Sequence, residues 1–353
     1  MLFLRSNDIV LSGESMKKKK RKVWNDKRSI KYRDKWYRKE KRSCGHSKIK
    51  LEQGEVLTNK KEFIATIPEI FSFVKNLDET AFFLDRLIKR IEKKIFKQAF
   101  YIDAKNVEEV TVEALIYIIA IIYNIKANRM LQYKFTGNLP MNKNARTVFE
   151  KSGYLNYFKI KRLQMPDSSE YVQIVSGKKV ENDTAGKICD FVNEKLSRGR
   201  LFTKILYATL IELMSNTAKH AYNNQNGMIP CWYLYASYEN GRVDIAFVDT
   251  GEGIPNTVKK KLSERLKFKV EDSKLIYAAL TEKGRSETGL SYRGRGLPNI
   301  YKHVCQKELK EFVVLSGSGC CRFDNDNDKV VYNENQRTIF GTIFKFSIME
   351  VCE

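Results

Sequence analysis

The stretch ELMSNTAKHAY, from Glu212 to Tyr222, opens a series of four short motifs in the C-terminal half of the chain. The other three are VDTGEGIP at Val248 to Pro255, YRGRGLPNI at Tyr292 to Ile300 and GTIFKF at Gly341 to Phe346. Each motif alone carries little weight, because polar helix faces and glycine turns are common. Their order and spacing together decide how the C-terminal half is interpreted.

The first motif places a carboxylate, an amide and a cation on one side of a predicted helix. Glu212, Asn216 and Lys219 are separated by four and three positions, so they project from one face, and His220 follows directly. Around a magnesium triphosphate, Glu212 is suited to orient or deprotonate water or an acceptor hydroxyl, Asn216 to bind Mg²⁺, and Lys219 to neutralise phosphate. Taken alone, such a stripe is usually the solvated face of a helix.

The second motif joins a carboxylate to two glycines. Asp249 ends an apolar strand, and Gly251 and Gly253 follow it. A carboxylate at the mouth of a sheet, beside backbone without Cβ atoms, can accept a hydrogen bond from an exocyclic amine such as adenine N6. A hairpin turn or part of a calcium loop would look similar, although the other oxygen ligands that calcium needs are missing.

The third motif brings two glycines to the start of a predicted helix. Gly294 and Gly296 lie where a loop enters that helix, so free backbone N–H groups can meet phosphate oxygens there. An ordinary turn before a helix would also use a GxG sequence.

The four motifs in this order, with 40 residues between Gly253 and Gly294, resemble the Bergerat-fold (GHKL) ATPase superfamily, to which gyrase and the sensor histidine kinases belong. The resemblance covers about Ala185 to Glu353. It implies a two-layer α/β sandwich that binds ATP with Mg²⁺. It also implies that Glu212 is the catalytic carboxylate and that Asn216 is the Mg²⁺ ligand.

The resemblance further implies roles for residues around the nucleotide. Asp249 would read adenine, supported through water by Thr342 on the last strand. The stretch between the second and third motifs would be a lid over the nucleotide, and Arg293 and Arg295 are the cations best placed for the γ-phosphate. The implied nucleotide-binding set is Asn216, Lys219, His220, Asp249, Gly251, Gly253, Ile254, Arg293, Gly294, Arg295, Gly296, Leu297 and Thr342.

Within the superfamily, the spacing ExxxNxxxHAY is similar to the anti-sigma-factor serine kinases, whereas GRGLPNI is similar to the sensor histidine kinases. The chain has three histidines, His46, His220 and His303. None of them lies in a predicted dimerisation helix beside an acidic residue. We therefore do not expect autophosphorylation on histidine.

Residues 51–165 predict a smaller α/β domain. A strand ending in Asp103 and the later sequence ARTVFEKSGYLNYF resemble the STAS domains that partner anti-sigma kinases. A Ser or Thr before the helix can be the phosphoacceptor in such domains; Thr111 lies near that place, although a helix N-cap is its favoured role. The predicted elements are a helix within Phe63 to Ile95, a strand and turn at Ala99 to Val107, a buried helix at Ala114 to Ile125, a strand at Leu131 to Phe135, and a short helix that breaks at Gly153.

The rest of the C-terminal half predicts helices packed on one side of an antiparallel or mixed sheet. Residues 166–183 are interpreted as a polar linker. The predicted elements are one or two helices within Ala185 to Asn223, strands at Trp232 to Ser237 and Val243 to Asp249 around the turn Glu239 to Gly241, a helix at Gly296 to Val304, and strands at Phe312 to Leu315 and Gly341 to Met349.

The positive charge is concentrated near the N-terminus. Residues 17–50 hold 17 Lys or Arg against three acidic residues, which gives +14 of the net +22. Trp24 and Trp36 lie among these cations, and basic and aromatic side chains together suit nucleic acid. A solvated tail, or an extension upstream of a true start at Met16, are the alternatives.

The longest apolar run, Ala114 to Tyr123, is about half the roughly 20 residues that a membrane-spanning helix needs, so no membrane association is expected. The seven cysteines show no CxxC or Cys/His spacing, which predicts neither a zinc site nor a disulfide framework. We expect reduced thiols in a cytoplasmic protein.

Together these patterns predict an α/β (α+β) protein with a basic arm (1–50), a STAS-like domain (51–165), a linker (166–183) and a Bergerat domain (184–353). The expected function is an ATP-hydrolysing conformational switch in bacterial-type regulation or defence. One alternative is a Ser/Thr kinase that acts on a STAS-like partner or on its own N-terminal region. Another is a non-catalytic, nucleotide-dependent module that contacts nucleic acid through the arm. A homodimer is possible, because related folds often dimerise.

Overall fold

The structure is a computed structural model, and the residues it describes all belong to one compact unit. The described residues are 56–57, 62–92, 99–127, 134–157, 169–219, 229–262, 270–281, 296–324 and 329–350. The basic arm lies outside these ranges, so its expected structure and partner stay predictions. Within the ranges, no helix has the length and apolar character needed to cross a membrane.

The N-terminal region is built on strands β1 (Val56–Leu57), β2 (Glu62–Thr66), β4 (Ala99–Asp103) and β6 (Lys134–Gly137). They form one sheet in the order β1-β2-β4-β6, in which β1 is antiparallel and the other pairs are parallel. A separate parallel pair joins β3 (Ile70–Phe71) to β5 (Glu109–Val110). The helices are α1 (Leu77–Glu92), α2 (Val112–Ala127) and α3 (Lys143–Lys151), followed by a 3₁₀ turn at Tyr154–Asn156.

The helix predicted within Phe63 to Ile95 is only partly correct, because two strands precede α1. Phe63, Ala65 and Ile67 are buried, whereas the residues between them are more exposed. This alternation has the period of a strand and not that of a helix. The helical spacing seen further along the segment belongs to α1 alone.

The other predicted elements of this region are largely confirmed. The strand expected at Ala99 is β4, and the buried helix is α2. The strand predicted at Leu131 to Phe135 overlaps β6 at its last two residues and continues to Gly137, and residues 131–133 lie outside the described ranges. The short helix α3 ends before Gly153, as predicted. Gly153 has a φ of 79°, a conformation that favours glycine.

The N-cap role predicted for Thr111 is wrong. Thr111 lies directly before α2, but its Oγ1 is buried and has no hydrogen-bond partner in the described part of the chain. Its backbone N–H donates to the carbonyl of Phe71 at 3.0 Å. Asp103 instead organises the end of β4, where its carboxylate accepts a 2.7 Å hydrogen bond from the Asn138 side chain.

The C-terminal region is built on a second sheet that is antiparallel throughout. Its order is β10-β11-β9-β8-β7. The strands are β7 (Tyr171–Gly177), β8 (Trp232–Glu239), β9 (Arg242–Asp249), β10 (Lys310–Asp324) and β11 (Lys329–Met349). The helices are α4 (Asn182–Leu196), α5 (Gly199–Lys219), α6 (Ile254–Leu262), α7 (Asp272–Leu280) and α8 (Gly296–Cys305).

The linker interpretation of residues 166–183 is corrected by β7, which is an edge strand of this sheet. Tyr171 and Ile174 are buried there, and the polar residues around them hid the strand in the sequence. The predicted β8–β9 hairpin is confirmed, with Asn240 and Gly241 at φ of 51° and 73° in the turn. The chain is therefore a mixed α/β protein with one largely parallel and one antiparallel sheet.

One face of the antiparallel sheet, which we call the helical face, packs against helices. Its strands contribute Trp232, Leu234, Ile245, Phe247, Val314 and Phe344, all nearly inaccessible. Helices α4, α5, α7 and α8 cover them with buried aliphatic side chains such as Ile188, Leu210, Ile276 and Ile300. This layer positions the first and third motifs.

The opposite face, which we call the rear face, is covered by the N-terminal region. Tyr233, Tyr235, Val248 and Ile343 on this face belong to the same apolar core as the N-terminal helices and sheet. Every residue of α2 from Ala114 to Ile122 is at most 2% exposed. A helix that is apolar all round needs apolar neighbours on every side, and the two sheets provide them.

Strands β10 and β11 extend beyond the sheet as a hairpin that touches the N-terminal region. Arg337 on β11 forms a 3.1 Å ion pair with Asp85 on α1, and its guanidinium lies 4.2 Å from the centre of the Phe82 ring. Neither this hairpin nor the covered rear face was indicated by the sequence.

Candidate functional site

The first motif lies in the last turns of α5, as predicted. The helix buries Leu206, Leu210 and Leu213 against the sheet, which leaves its polar stripe to face away from the core. Glu212 and Asn216 are partly buried and Lys219 is exposed. His220 directly follows the last described residue of α5 and lies outside the described ranges.

Glu212 reaches the third motif. A Cβ atom placed on Gly296 would lie 1.9 Å from Cδ of Glu212, so a larger residue there would displace the Glu212 side chain. Gly296 is the first residue of α8, and a carboxylate near a helix N-terminus is favoured by the helix dipole. The structure thus brings the first and third motifs into direct contact.

Of the residues next to Gly296 in the sequence, the structure describes those that follow it but not those that precede it. Leu297 is partly buried and packs against the core of the helical face. Arg293, Gly294 and Arg295 lie outside the described ranges, as do residues 263–269 and 282–292 of the stretch interpreted as a lid. Their expected contacts with the triphosphate stay predictions.

The second and fourth motifs meet at the end of β9. Thr342 on β11 pairs directly with Asp249 in the antiparallel ladder. Asp249 alternates with Val248, so its side chain lies on the helical face. Its carboxylate accepts a 2.7 Å hydrogen bond from the Gly251 N–H and another from the Thr342 hydroxyl.

Burial is the main influence on Asp249 and raises the pKa of its carboxyl group to about 6. The hydrogen bonds from Gly251 and Thr342 oppose this effect and lower the pKa. A carboxylate with a raised pKa is costly to keep ionised, so it gains from a further donor. An exocyclic amine is such a donor.

Two glycines beside the Asp249 carboxylate lie where the backbone packs tightly against neighbouring atoms. Gly253 has a φ of 81°, and a Cβ there would lie 2.8 Å from Oγ of Ser316. Gly341 has a φ of 71°, and its Cβ would lie 1.9 Å from the carbonyl oxygen of Asp249. Both glycines are therefore required by conformation and by space.

Ser316 on β10 links the two glycine turns. It was not among the site residues predicted from the sequence. It is fully buried. Its Oγ donates to the Gly341 carbonyl at 2.7 Å and accepts from the Ile254 N–H at 2.9 Å. Ile254 thus contributes its backbone to the frame of the site. The signal that could have revealed Ser316 is a lone hydroxyl that ends the apolar run Phe312 to Leu315.

Helix α7 lies within the stretch interpreted as a lid, and the β10–β11 hairpin holds its first turn. The carboxylate of Glu334 accepts from the backbone N–H groups of Asp272 at 3.3 Å and Ser273 at 3.1 Å. The Asp272 carboxylate in turn accepts from the N–H of Ser318 at 3.0 Å. The helix that leads into residues 282–295 is therefore anchored to the hairpin.

The described residues contain no group of three or more His, Cys, Asp or Glu side chains suited to a metal ion. A Mg²⁺ ion bound together with a nucleotide usually takes only one or two protein ligands and completes its shell with phosphates and water. Asn216, one turn from Glu212 on α5, can provide such a ligand. The donor set is thus suitable for Mg²⁺ with ATP.

Of the sequence-predicted site residues, the structure joins Glu212 to Gly296 and Asp249 to Thr342, with Gly251 and Gly253 beside the second pair. Both pairs are on the helical face of the antiparallel sheet. Neither protein-family models nor curated protein sequences give a match to this chain. The functional interpretation therefore depends on the motifs and on this geometry.

Proposed function

We propose that the protein is a cytoplasmic ATP-binding protein of the Bergerat type that uses Mg²⁺-ATP hydrolysis as a conformational switch, in regulation or defence of the bacterial kind. The observation that carries the proposal is the pair formed by the partly buried Asp249 and the buried Thr342, which stands among glycine turns at the end of β9. The partly buried Glu212 on the same face supplies a group for chemistry.

Adenine recognition would come from Asp249. Its carboxylate already accepts hydrogen bonds from Gly251 and Thr342, and a carboxylate has room for further donors. The 6-amino group of adenine supplies one, whereas guanine presents an oxygen in that place. The site should therefore prefer ATP over GTP.

Hydrolysis would use Glu212 as the general base for a water molecule. Its carboxylate stands beside Gly296 at the start of α8, and free N–H groups at a helix start suit phosphate. Asn216 would hold Mg²⁺ and Lys219 would face the phosphates. When bound, Mg²⁺ neutralises charge on the β- and γ-phosphates.

The arrangement of the N-terminal region favours a switch over a kinase that phosphorylates its own STAS-like domain. Thr111, the residue nearest to the phosphoacceptor place of STAS domains, belongs to the layer that covers the rear face. Glu212 belongs to the helical face. The five-stranded sheet stands between the two layers, which argues against transfer from a γ-phosphate near Glu212 to Thr111 of the same chain.

The kinase alternative therefore requires a separate STAS-like partner. The ExxxNxxxHAY spacing of the first motif, similar to the anti-sigma-factor kinases, is the feature that favours it. The binding-module alternative depends on the +14 charge of residues 17–50. Deletion of that arm should then weaken RNA or DNA binding and flatten its salt dependence.

One assay separates these functions. The full chain is incubated with Mg²⁺ and ATP labelled on the γ-phosphate, and free phosphate is separated from labelled protein. We expect free phosphate without labelled protein. Label on the protein, or on an added STAS-like protein, would favour the kinase, and ATP binding without either product would favour the binding module.

A matched pair of variants connects the assay to the site. Glu212→Gln keeps the size of the side chain beside Gly296 but removes the base, so ATP should still bind while turnover falls by at least about 100-fold. Glu194→Gln makes the same change on the neighbouring helix α4, where the side chain is 67% exposed, and should leave turnover unchanged. Normal hydrolysis by Glu212→Gln would remove Glu212 from catalysis.

A further inference from the structure

A side chain of the N-terminal region forms hydrogen bonds with the backbone of β11, the strand that carries Thr342. Tyr117 on α2 is 1% exposed. Its hydroxyl donates to the carbonyl of Phe340 at 2.8 Å and accepts from the N–H of the same residue at 2.7 Å. The two rings also pack, with centroids 4.6 Å apart.

These bonds meet a bulge in β11. Ser316 on β10 pairs with Thr342, but the next residue, Gly317, pairs with Ile339. Two residues of β11, Phe340 and Gly341, are therefore left without a β10 partner, and the pairing with β9 starts only at Thr342. Bulges of this kind redirect side chains and are frequent beside active sites.

Two hydroxyl groups compensate for the lost strand pairing, one on each side of the sheet. Tyr117 satisfies both backbone groups of Phe340 from the rear face, and Ser316 satisfies the carbonyl of Gly341. Because buried backbone groups without partners are costly, these two bonds determine the shape of the bulge. Thr342 follows at once and presents its hydroxyl to Asp249 on the helical face.

We propose that Tyr117 is a positioning residue of the nucleotide site, through which the docked N-terminal region sets the geometry of the Asp249–Thr342 pair. The inference rests on the proposed ATP function of this pair. It assigns the N-terminal region a part in adenine selectivity, although that region lies behind the sheet. Tyr117 itself does not contact the nucleotide.

The test uses two tyrosines on the same interface. Tyr117→Phe keeps the ring and removes the hydroxyl that binds Phe340. Tyr233→Phe removes a hydroxyl that is also buried on the rear face but has no hydrogen-bond partner among the described residues. The full-length proteins are compared by calorimetric titration with non-hydrolysable ATP and GTP analogues in the presence of Mg²⁺, together with the melting temperature of each variant.

For Tyr117→Phe we expect a roughly tenfold increase in the Kd for the ATP analogue and a smaller preference for ATP over GTP; for Tyr233→Phe we expect neither change. The ATP-to-GTP preference is the decisive readout, because a purely structural role would lower the melting temperature but leave this ratio unchanged. Unchanged affinity and ratio in Tyr117→Phe would overturn the inference while the proposed function stands. A wild-type protein that binds no ATP analogue would overturn both.

A measurement on the wild-type protein covers the case in which Tyr117→Phe does not fold. Amide hydrogen exchange of Phe340 should slow several-fold when the ATP analogue binds, because a donor on Asp249 also fixes Thr342 and the bulge before it. Backbone amides of β7, at the far edge of the sheet, serve as the internal control. Equal exchange at Phe340 with and without the analogue would contradict the coupling.

Discussion

The two faces of the antiparallel sheet differ in how polar groups are used. The helical face ends in an ionisable carboxylate, Asp249, whose hydrogen bonds leave capacity for a ligand. The rear face is closed by the N-terminal region, and the Tyr117 hydroxyl there bonds to backbone within the protein. Under the proposed function, the helical face exchanges a ligand, whereas the rear face stays covered by the N-terminal region.

The largest expected effect comes from Asp249→Asn, which tests the helical face. The amide keeps the size of the side chain but puts a donor where adenine N6 needs an acceptor, so ATP affinity should fall by about 100-fold or more. Isothermal titration measures this loss. Asp244→Asn, near the start of the same strand, is the control and should bind ATP normally; equal binding by Asp249→Asn would refute the adenine assignment.

The same variant separates binding from folding. The pKa of Asp249 is raised to about 6, so the folded protein holds the proton more tightly than the unfolded chain does. The stability contributed by the protonated form is therefore lost as the pH rises from about 4 through about 6. At pH 7.5 the free energy of unfolding of Asp249→Asn should equal or exceed that of the wild type.

The next largest effect is expected for Gly296→Ala, which tests the contact between α5 and α8. The new methyl group would occupy the space of the Glu212 carboxylate, so the variant should lose about 1–3 kcal/mol of stability, measured by urea denaturation. The double variant with Glu212→Ala should recover much of this loss. If the two changes are simply additive, the side chains are not in contact.

Lys345→Met tests the rear face. Lys345 stands 4.0 Å from Glu113, whose carboxylate is 1% exposed and has no hydrogen-bond partner in the described part of the chain. Removal of the cation leaves a buried charge unpaired, so stability should fall by about 2 kcal/mol, less than for a fully buried pair because Lys345 is 26% exposed. A second change, Glu113→Gln, should restore it, whereas ATP binding should stay unchanged throughout.

The smallest expected effect is the pH dependence of ATP affinity. Because only the ionised carboxylate is a pure acceptor, protonation of Asp249 below about pH 6 should weaken binding, by up to roughly tenfold between pH 7.5 and 5. A purine nucleotide without the 6-amino group is the control, because it makes no bond to Asp249. An identical pH profile for both nucleotides would assign the titration to another group.

The sequence predicted the helical face better than the rear face. The spacing of Glu212 and Asn216, and the apolar run before Asp249, are local patterns that directly indicate a helix stripe and a strand end. Contact between Glu212 and Gly296, or between Asp249 and Thr342, requires the motif resemblance, because these residues are far apart in the chain. The structure brings each pair together, but Thr342 bonds directly to Asp249 and not through water, as the resemblance had implied.

The rear face could not be predicted because nothing local reveals what covers an apolar strand. Tyr233 and Val248 look like ordinary alternating strand residues. A sheet face gives the same sequence pattern whether it is buried by helices or by another region of the protein. Tyr117 lies in an apolar helix, where a tyrosine is usually interpreted as an ordinary core residue, so its hydrogen bonds were not predicted. Strand β7 was missed because the polar residues on either side of it are typical of a linker.

The shared core also gives the molecule an internal chemical reporter. Cys231 and Cys320 are buried in the core that joins the two regions, and burial raises the pKa of both thiols, so neither should be alkylated while the rear face is covered. Cys305 on α8 is exposed and provides the reference rate. The ratio of these labelling rates measures how often the N-terminal region leaves the sheet, and whether nucleotide changes that frequency.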